Sequence, residues 1–437
     1  MRALVKFCRG GTKYLNTVIA QQYFVGQNEL IKGFETYTVA VPIEAPLRHS
    51  NGVHPGWFTM TLIKIVGSSG LEGWGEIGGG GFSLRQFLDS ICRNIVGENI
   101  FNLQKIQWKF ASPIAATYYN QLLPQIWFAL ETALLDLQGK VLGVPVHSLL
   151  GGKVKDTIEV SGYIFPRYER EGRGGETTPE EISKLAQRWR EKYGFRVFKL
   201  KGGVFCPMHD IDVLKVLNDD LPRTLFRVDP NGAWNIMDAA HFARNMELHG
   251  VRVEYLEDPV WELGNMARLR NFTKIPLATN TSVTRFEDIV AAHELQAVDI
   301  ILGDPHWWWG VRGYQQLGRV CSVLGFTLGM HSPGELGIGL TAMVHAAAST
   351  PQLATAIDTH YMHLLDDVVK EKVEIKSGCI RVPDKPGLGV EIDHSKVDKY
   401  QLLYQELKDY SYVNDPNRVE WFPMVPESRY AFCPCHI

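Results

Sequence analysis

No apolar run in the 437-residue chain reaches the roughly 18 residues needed to span a bilayer, so neither a transmembrane helix nor a membrane partner is expected. Charge of one sign is also lacking. The formal net charge is -3, which leaves no basic footprint for nucleic acid. It does not exclude an anionic substrate, because a few cations or a metal can dominate a pocket. A disulfide framework is missing too. The seven cysteines, Cys8, Cys92, Cys206, Cys321, Cys379, Cys433 and Cys435, are odd in number and scattered, which fits reduced thiols in a cytoplasmic protein. Cys433 and Cys435 would make half of a metal knuckle, but no matching pair lies upstream. Acids are absent from the start of the chain, where Arg2, Lys6, Arg9 and Lys13 precede Glu29. This stretch has the basic character of an organellar transit peptide but little serine; an ordinary basic leader on a cytoplasmic protein is the other reading.

What is present is length for about two or three domains. After a leader at 1–30, "FETYTVAVPIEAPL" and "WFTMTLIKIVGSSGLEGWGEI" are β-branched and aromatic and read as strands. "LPQIWFALETALLDLQGKVLG" has apolar residues at helical spacing, with Gly143-Val144-Pro145 ending it. Residues 31–155 therefore read as an α+β domain. From 156 to 370 short apolar strands alternate with helices, which implies a parallel sheet. Residues 371–437 return to strand and are expected to fold back on the first domain.

Strand ends in the second domain carry Lys201, Asp229, Glu257, Asn280, Asp304, His331 and Asp358, separated by 28, 28, 23, 24, 27 and 27 residues. Each gap fits one β/α unit of a barrel. Barrel active sites are built at the C-terminal ends of the strands, and an open doubly wound sheet gives no reason for one polar group at each.

Three of these groups, Asp229, Glu257 and Asn280, offer hard oxygens suited to Mg²⁺, with neither sulfur nor imidazole to favour zinc. Any one alone would serve as a helix cap, and Asp258 and Glu262 compete with Glu257 for its role. Lys199 and Lys201 flank Leu200, so a strand presents both ammonium groups on one face. A like charge and a nearby dication would lower a lysine's pKa toward that of a general base. Asp304 would bond His331 and fix its tautomer. Asp358 and His360 are candidates for binding or support.

The motifs "VFKLKGG", "VDPNGAW", "YLEDP", "LATN", "LGDPHWW", "HS" and "AIDTHY" resemble, in order, those of D-glucarate dehydratases, in the acid-sugar branch of the enolase superfamily. "ALLDLQGKVLGVPVHSLLGG" and "KPGLGVEID" extend the similarity to about residues 40–395. The resemblance implies a (β/α)7β modified TIM barrel with an N-terminal α+β capping domain, a homo-oligomer acting on a small-molecule acid sugar. It implies that Lys201 abstracts a proton beside a carboxylate, that Lys199 binds that carboxylate, and that Asp229, Glu257 and Asn280 hold Mg²⁺. His331, paired with Asp304, would protonate the departing hydroxyl. Asn231, His54, Thr117, Tyr163, Ser332 and His360 would touch substrate.

Two departures bear on substrate. His331-Ser332 is followed by Pro333-Gly334-Glu335 where the family has polar, often amide, residues, and a carboxylate there would repel a diacid. Met60 stands where the family commonly has arginine. Dehydration of D-glucarate or a relative is therefore one expectation, beside a racemase, epimerase or dehydratase of a monoacid sugar and a catalytically silent relative.

Overall fold

A computed structural model of the chain describes residues 28–79, 82–111, 122–407 and 412–418. The leader up to Gln27, Thr117, Trp421 and the Cys433–Cys435 pair lie outside the described residues.

The first strands are β1 (Ile31–Pro42), the short hairpin β2 (Leu47–His49) and β3 (Gly52–His54), then β4 (Trp57–Gly67) and β5 (Glu72–Gly78). β1, β4 and β5 form an antiparallel sheet in that order. The helix Leu122–Leu142 covers it and is buried almost all round from Leu123 to Gly139, as a helix with apolar residues on every face must be. Gly73 and Gly75 permit the contact. A Cβ on either would fall 2.0 Å from Ala133 O or 1.9 Å from Ala129 O.

A two-stranded sheet pairs β6 (Thr157–Glu159) with a late strand, β14 (Cys379–Arg381), taken here out of order. Between them run β7 (Gly162–Ile164), β8 (Val197–Lys201), β9 (Leu225–Asp229), β10 (Val253–Glu257), β11 (Leu277–Thr279), β12 (Ile300–Gly303) and β13 (Thr327–Met330), hydrogen-bonded in sequence order. Every pair in this sheet is parallel. Helices link them, and the one before β8 shows why they start and stop where they do. Thr178 accepts from Glu181 N at 3.3 Å, Pro179 opens the first turn, and Gly194 ends it in the left-handed region.

Two strand assignments differ from the sequence reading. β7 is only three residues long, too short for alternation to register, and was not foreseen as a strand. "ATAIDTHY" forms no ladder; the ring closes through single parallel bridges, Leu328 to Leu353 just before this segment and Val160 to Ile357 within it. The architecture is nevertheless the modified barrel with its strand-rich capping domain.

Alternation along the strands divides the barrel's inside from its outside. Tyr255, Ala278, Ile300 and Leu302 form a small apolar cluster separate from the main core, at the inward positions of β10, β11 and β12. Across from it the interior is ionic. Lys199, Arg227, Asp229, Glu257 and Asp358 are all fully buried.

Carboxylates of the capping domain seat it on the barrel. Glu76 accepts from Leu336 N at 2.7 Å, just before the helix Gly337–Ala348. Glu131 accepts from Arg312 N at 3.3 Å, in the first turn of the helix Gly310–Leu324. Beyond the helix His394–Leu407, Val413 exchanges both backbone hydrogen bonds with Val53, at 2.9 Å each. Among the described residues Cys92, Cys321 and Cys379 are free. No described helix is long and apolar enough to cross a membrane.

Candidate active site

β8 and β9 run parallel with Lys199 opposite Arg227 and Lys201 opposite Asp229, so all four side chains share the inner face. Lys199 Nζ lies 2.5 Å from Glu257, 2.8 Å from Asp358 and 3.6 Å from Asp229. Lys201 Nζ donates to Asp229 Oδ2 at 2.6 Å and to the Tyr163 hydroxyl at 3.1 Å. Instead of two adjacent like charges, the barrel interleaves cations with anions, and Asp229 reaches both lysines. Burial opposes the charge on Lys199, but Asp358, Glu257 and Asp229 outweigh it and hold the ammonium well above the ordinary lysine range.

The carboxylates are less evenly served. Burial raises Asp229 as well, yet Lys201 and Lys199 bring it down to about 2. Burial, followed by the charge of Asp229, pushes Glu257 well above the usual carboxylate range even though Lys199 is 2.5 Å away. The oxygen in that contact is Glu257 Oε2, which is buried. The close ammonium marks this as an ion pair; the upward push marks a cluster short of positive charge. Asn280 completes the set. Its side-chain amide lies 3.1 Å from Glu257 Oε1 and 2.9 Å from Asp258 Oδ2 through one end, and 3.2 Å from His331 Nε2 through the other. Nitrogen toward the carboxylates satisfies these contacts; a cation among the three side chains would call for the amide oxygen instead. Two carboxylates and an amide form a hard-oxygen donor set of the kind that suits a divalent cation such as Mg²⁺.

Asp258 and Glu262 do not compete for this position. Asp258, with φ 39°, is taken up by the turn that follows it, accepting from Thr279 Oγ1 at 2.5 Å, Asn280 N at 2.8 Å and Thr281 N at 3.1 Å. It shapes the turn that presents Asn280. Glu262 is exposed. Asn231 also lies in the left-handed region, φ 49°, with its backbone N–H on Asp229 Oδ1 at 3.0 Å.

On another wall Asp304 Oδ2 is 3.0 Å from His331 Nδ1, and Asp304 Oδ1 is 2.5 Å from His306 Nδ1. The two histidines bring Asp304 down to about 2 against its burial. With Nδ1 on Asp304, His331 presents Nε2 to the mouth. His306 was not singled out in the sequence, although it stands two residues after Asp304; its ring packs against Phe128 of the capping domain, centroids 3.9 Å apart.

Above these groups lies a cavity of about 330 Å³ whose lining includes Lys201, Asn231, Asn280, His331, Ser332, Tyr163 and His360. His54 is 1% exposed and does not line this space; it packs against Phe58 and Tyr412, centroids 4.8 and 4.2 Å away. The wall is His49, at the other end of the same hairpin, with Asn51, Thr281, Trp307, Pro333 and Tyr412. The pair of histidines in "RHSNGVH" was the available signal for His49; nothing marked Tyr412. Asp358 lies below, tied to Lys199, to Arg227 at 3.0 Å and to Ser161 at 2.7 Å, and is a core strut.

Glu335 corrects an expectation. Its carboxylate is fully buried away from the cavity, accepting from Ser332 Oγ, Thr359 Oγ1 and His360 N. Chain reversal at Gly334, φ 95°, turns it under the wall, so it cannot repel a ligand directly. Met60 is likewise core, paired with Val39 and Gly78 in the capping sheet.

A closed parallel barrel with a capping domain over an ionic mouth is the form of the enolase-type enzymes. Residues 34–151 match the mandelate racemase/muconate lactonizing enzyme N-terminal domain and residues 181–396 the enolase C-terminal domain-like family. The chain belongs to this family, the enolase superfamily. It is 35% identical over 380 residues to a Streptomyces coelicolor protein named "Probable glucarate dehydratase", covering 81% of this chain and 87% of that one. It is 30% identical over 275 residues to arabinonate dehydratase of Saccharolobus solfataricus, covering 62% and 70%. A crystal structure of an enolase from Gibberella zeae, complexed with magnesium, formate and sulfate, superposes with a TM-score of 0.86 at 32% identity, covering 92% of this chain and 99% of that one. One from Pseudomonas fluorescens with magnesium, potassium and tartrate gives 0.83 at 32%, covering 88% and 94%.

Proposed function

We propose that the chain is a Mg²⁺-dependent hydro-lyase that dehydrates an acid sugar. It would remove the proton beside the carboxylate and eliminate the β-hydroxyl to give a keto-deoxy acid. The observation that carries this reading is that Lys201 and His331 line different walls of one cavity, with Asn280 between them and Asp229 and Glu257 beneath.

Asp229, Glu257 and Asn280 would hold the metal, which would supply positive charge where the substrate carboxylate gains negative charge as the proton leaves. Lys201 takes that proton through Nζ. Asp229 and the Tyr163 hydroxyl fix its position, and proton transfer of this kind contributes about 10²–10⁴-fold. Lys199, fully buried beneath Lys201, does not reach the cavity and acts by neutralising Glu257 and Asp358. His331 Nε2 gives a proton to the departing hydroxyl, with Asp304 stabilising the charged imidazole. The glucarate and arabinonate dehydratases among the relatives support this class.

A second reading has a specific basis. Groups able to move a proton on two walls also suit epimerisation, and one relative is an L-Ala-D/L-Glu epimerase from Clostridium acetobutylicum, 25% identical. Incubation with Mg²⁺ and a panel of acid sugars, assayed with semicarbazide for a new keto acid and by NMR for α-deuterium in D₂O, separates the two. Dehydration supports the first reading, exchange without keto acid the second. Full dehydration by Lys201→Ala would sink the assigned base.

A further inference from the structure

We infer that Glu335 is a positioning residue of the cavity: acting through Ser332, it holds the His360 ring with its proton on Nδ1, so that Nε2 meets the substrate as an acceptor for a hydroxyl. Only the substrate's place in this cavity rests on the reading above; the hydrogen bonding of the three side chains stands apart from it.

The relay follows from which atoms can donate. Glu335 is fully buried with Ser332 on one carboxylate oxygen and Thr359 on the other, and an ionised carboxylate only accepts. Thr359 Oγ1 takes Tyr361 N at 3.0 Å and spends its hydroxyl proton on Glu335 Oε1, which also accepts His360 N at 3.2 Å. Ser332 spends its proton on Oε2 in the same way. Its oxygen is then left to accept, from Gly334 N at 3.3 Å and from His360 Nδ1 at 2.8 Å. Nδ1 therefore carries a proton. Burial, then the charges of His54, His363, His49 and Lys201, hold His360 well below the ordinary histidine value, so the ring is neutral. A neutral imidazole has one N–H, and Nε2 is left bare.

His360 borders the cavity, its ring clamped by Tyr163, Phe165 and Phe58 with centroids 4.8, 5.3 and 5.9 Å away. Nε2 has no hydrogen-bond partner among the described residues and keeps some exposure, where that of His49 is sealed. A bare imidazole nitrogen beside a polyhydroxy acid accepts from a hydroxyl. Glu335 itself lies beneath the wall and touches no ligand, so its influence on the cavity passes through Ser332.

Glu335→Gln reverses the relay at nearly constant shape. The amide oxygen stays with Thr359 and His360 N, while the amide N–H donates to Ser332, whose own proton turns to His360 Nδ1 and drives the ring proton to Nε2. The test is NMR of the full chain with Mg²⁺, labelled with ¹⁵N-histidine, at pH 8, above the value of about 7 to which burial pushes Glu335. His360 is assigned by the loss of its signals in His360→Gln. A proton on Nδ1 in the native protein and on Nε2 in Glu335→Gln is expected; a bare Nδ1 in the native protein, or one tautomer in both, overturns the inference. Ser332→Ala cuts the relay and keeps the carboxylate. Both tautomers are then expected together, and Glu335→Gln on that background should change nothing further; a continued shift would show that Glu335 does not act through Ser332. For whichever of D-glucarate and D-arabinonate the native enzyme dehydrates, Glu335→Gln is expected to raise KM about tenfold, the loss of one hydrogen bond, with kcat within a few fold. A purely structural Glu335 would lower the melting temperature with KM and tautomer unchanged, which would also overturn it. Dehydration of neither acid would remove the proposed reaction, and the tautomers would still decide the relay.

Discussion

Asp304 joins His331 and His306 through its two oxygens, at 3.0 and 2.5 Å. The dyad expected from two strand ends is thus the front half of a three-residue chain anchored on the capping domain through Phe128. Asp304→Asn would leave the shape intact but let the amide donate to His331, favouring the wrong tautomer. Keto acid formation is expected to fall about 100-fold or more, while Lys201-dependent α-proton exchange in D₂O stays within a few fold. Equal loss of both would show that His331 and Asp304 act on the same step as Lys201.

Metal binding should relieve the shortage of positive charge around Glu257. The native protein is expected to gain thermal stability with Mg²⁺ and lose it with a chelator, with a gain of about 2.7 kcal/mol at a hundredfold excess over Kd. Glu257→Gln removes the charge that most needs the cation. Its melting temperature should barely respond to Mg²⁺, which a thermal shift titration reads directly. An unchanged response would place the metal elsewhere.

The period of two in "VFKLKGG" places Lys199 and Lys201 on one face, and the spacing of strand ends leads to Asp229, Glu257 and Asn280. These were legible because each depends on chain direction at a single strand. Glu335 was not. Its neighbour Thr359 is 24 residues away, and only the closed ring and the reversal at Gly334 put the carboxylate beneath the wall instead of in it. The choice of His49 over His54 was equally hidden, because both ends of a hairpin are equally close in sequence. The pattern of "ATAIDTHY" reads as a full strand; single bridges suffice because the flanking strands are already fixed.

Stability should fall as pH rises, through two buried acids outside the metal cluster. Burial pushes Glu131 and Glu335 up to about 7 from an ordinary 4.5. A carboxyl whose folded pKa lies above its unfolded one favours folding most below the unfolded value, and that advantage is lost as pH passes through the folded value. Each would cost about 3 kcal/mol by pH 8. Glu131→Gln keeps an acceptor for Arg312 N and removes the titration. Its melting temperature, measured from pH 5 to 8, should decline less steeply than that of the native chain, with the difference greatest at pH 8. Parallel curves would show that Glu131 is ionised at little cost.

Asp358 is predicted to matter for folding rather than for recognition of substrate. It takes Lys199 on one oxygen and Arg227 and Ser161 on the other, all of them fully buried. Asp358→Asn keeps the volume but withdraws a charge that two buried cations share, and breaking a buried pair from one side costs about 3–5 kcal/mol. Glu254 remains on Arg227 at 2.6 Å and Glu257 on Lys199, so the loss should fall at the lower end of that range. Denaturant unfolding gives the stability, and KM on the folded fraction gives recognition. A large fall in stability with KM nearly constant is expected, since Asp358 does not line the cavity. A raised KM with stability unchanged would instead make Asp358 part of the binding site.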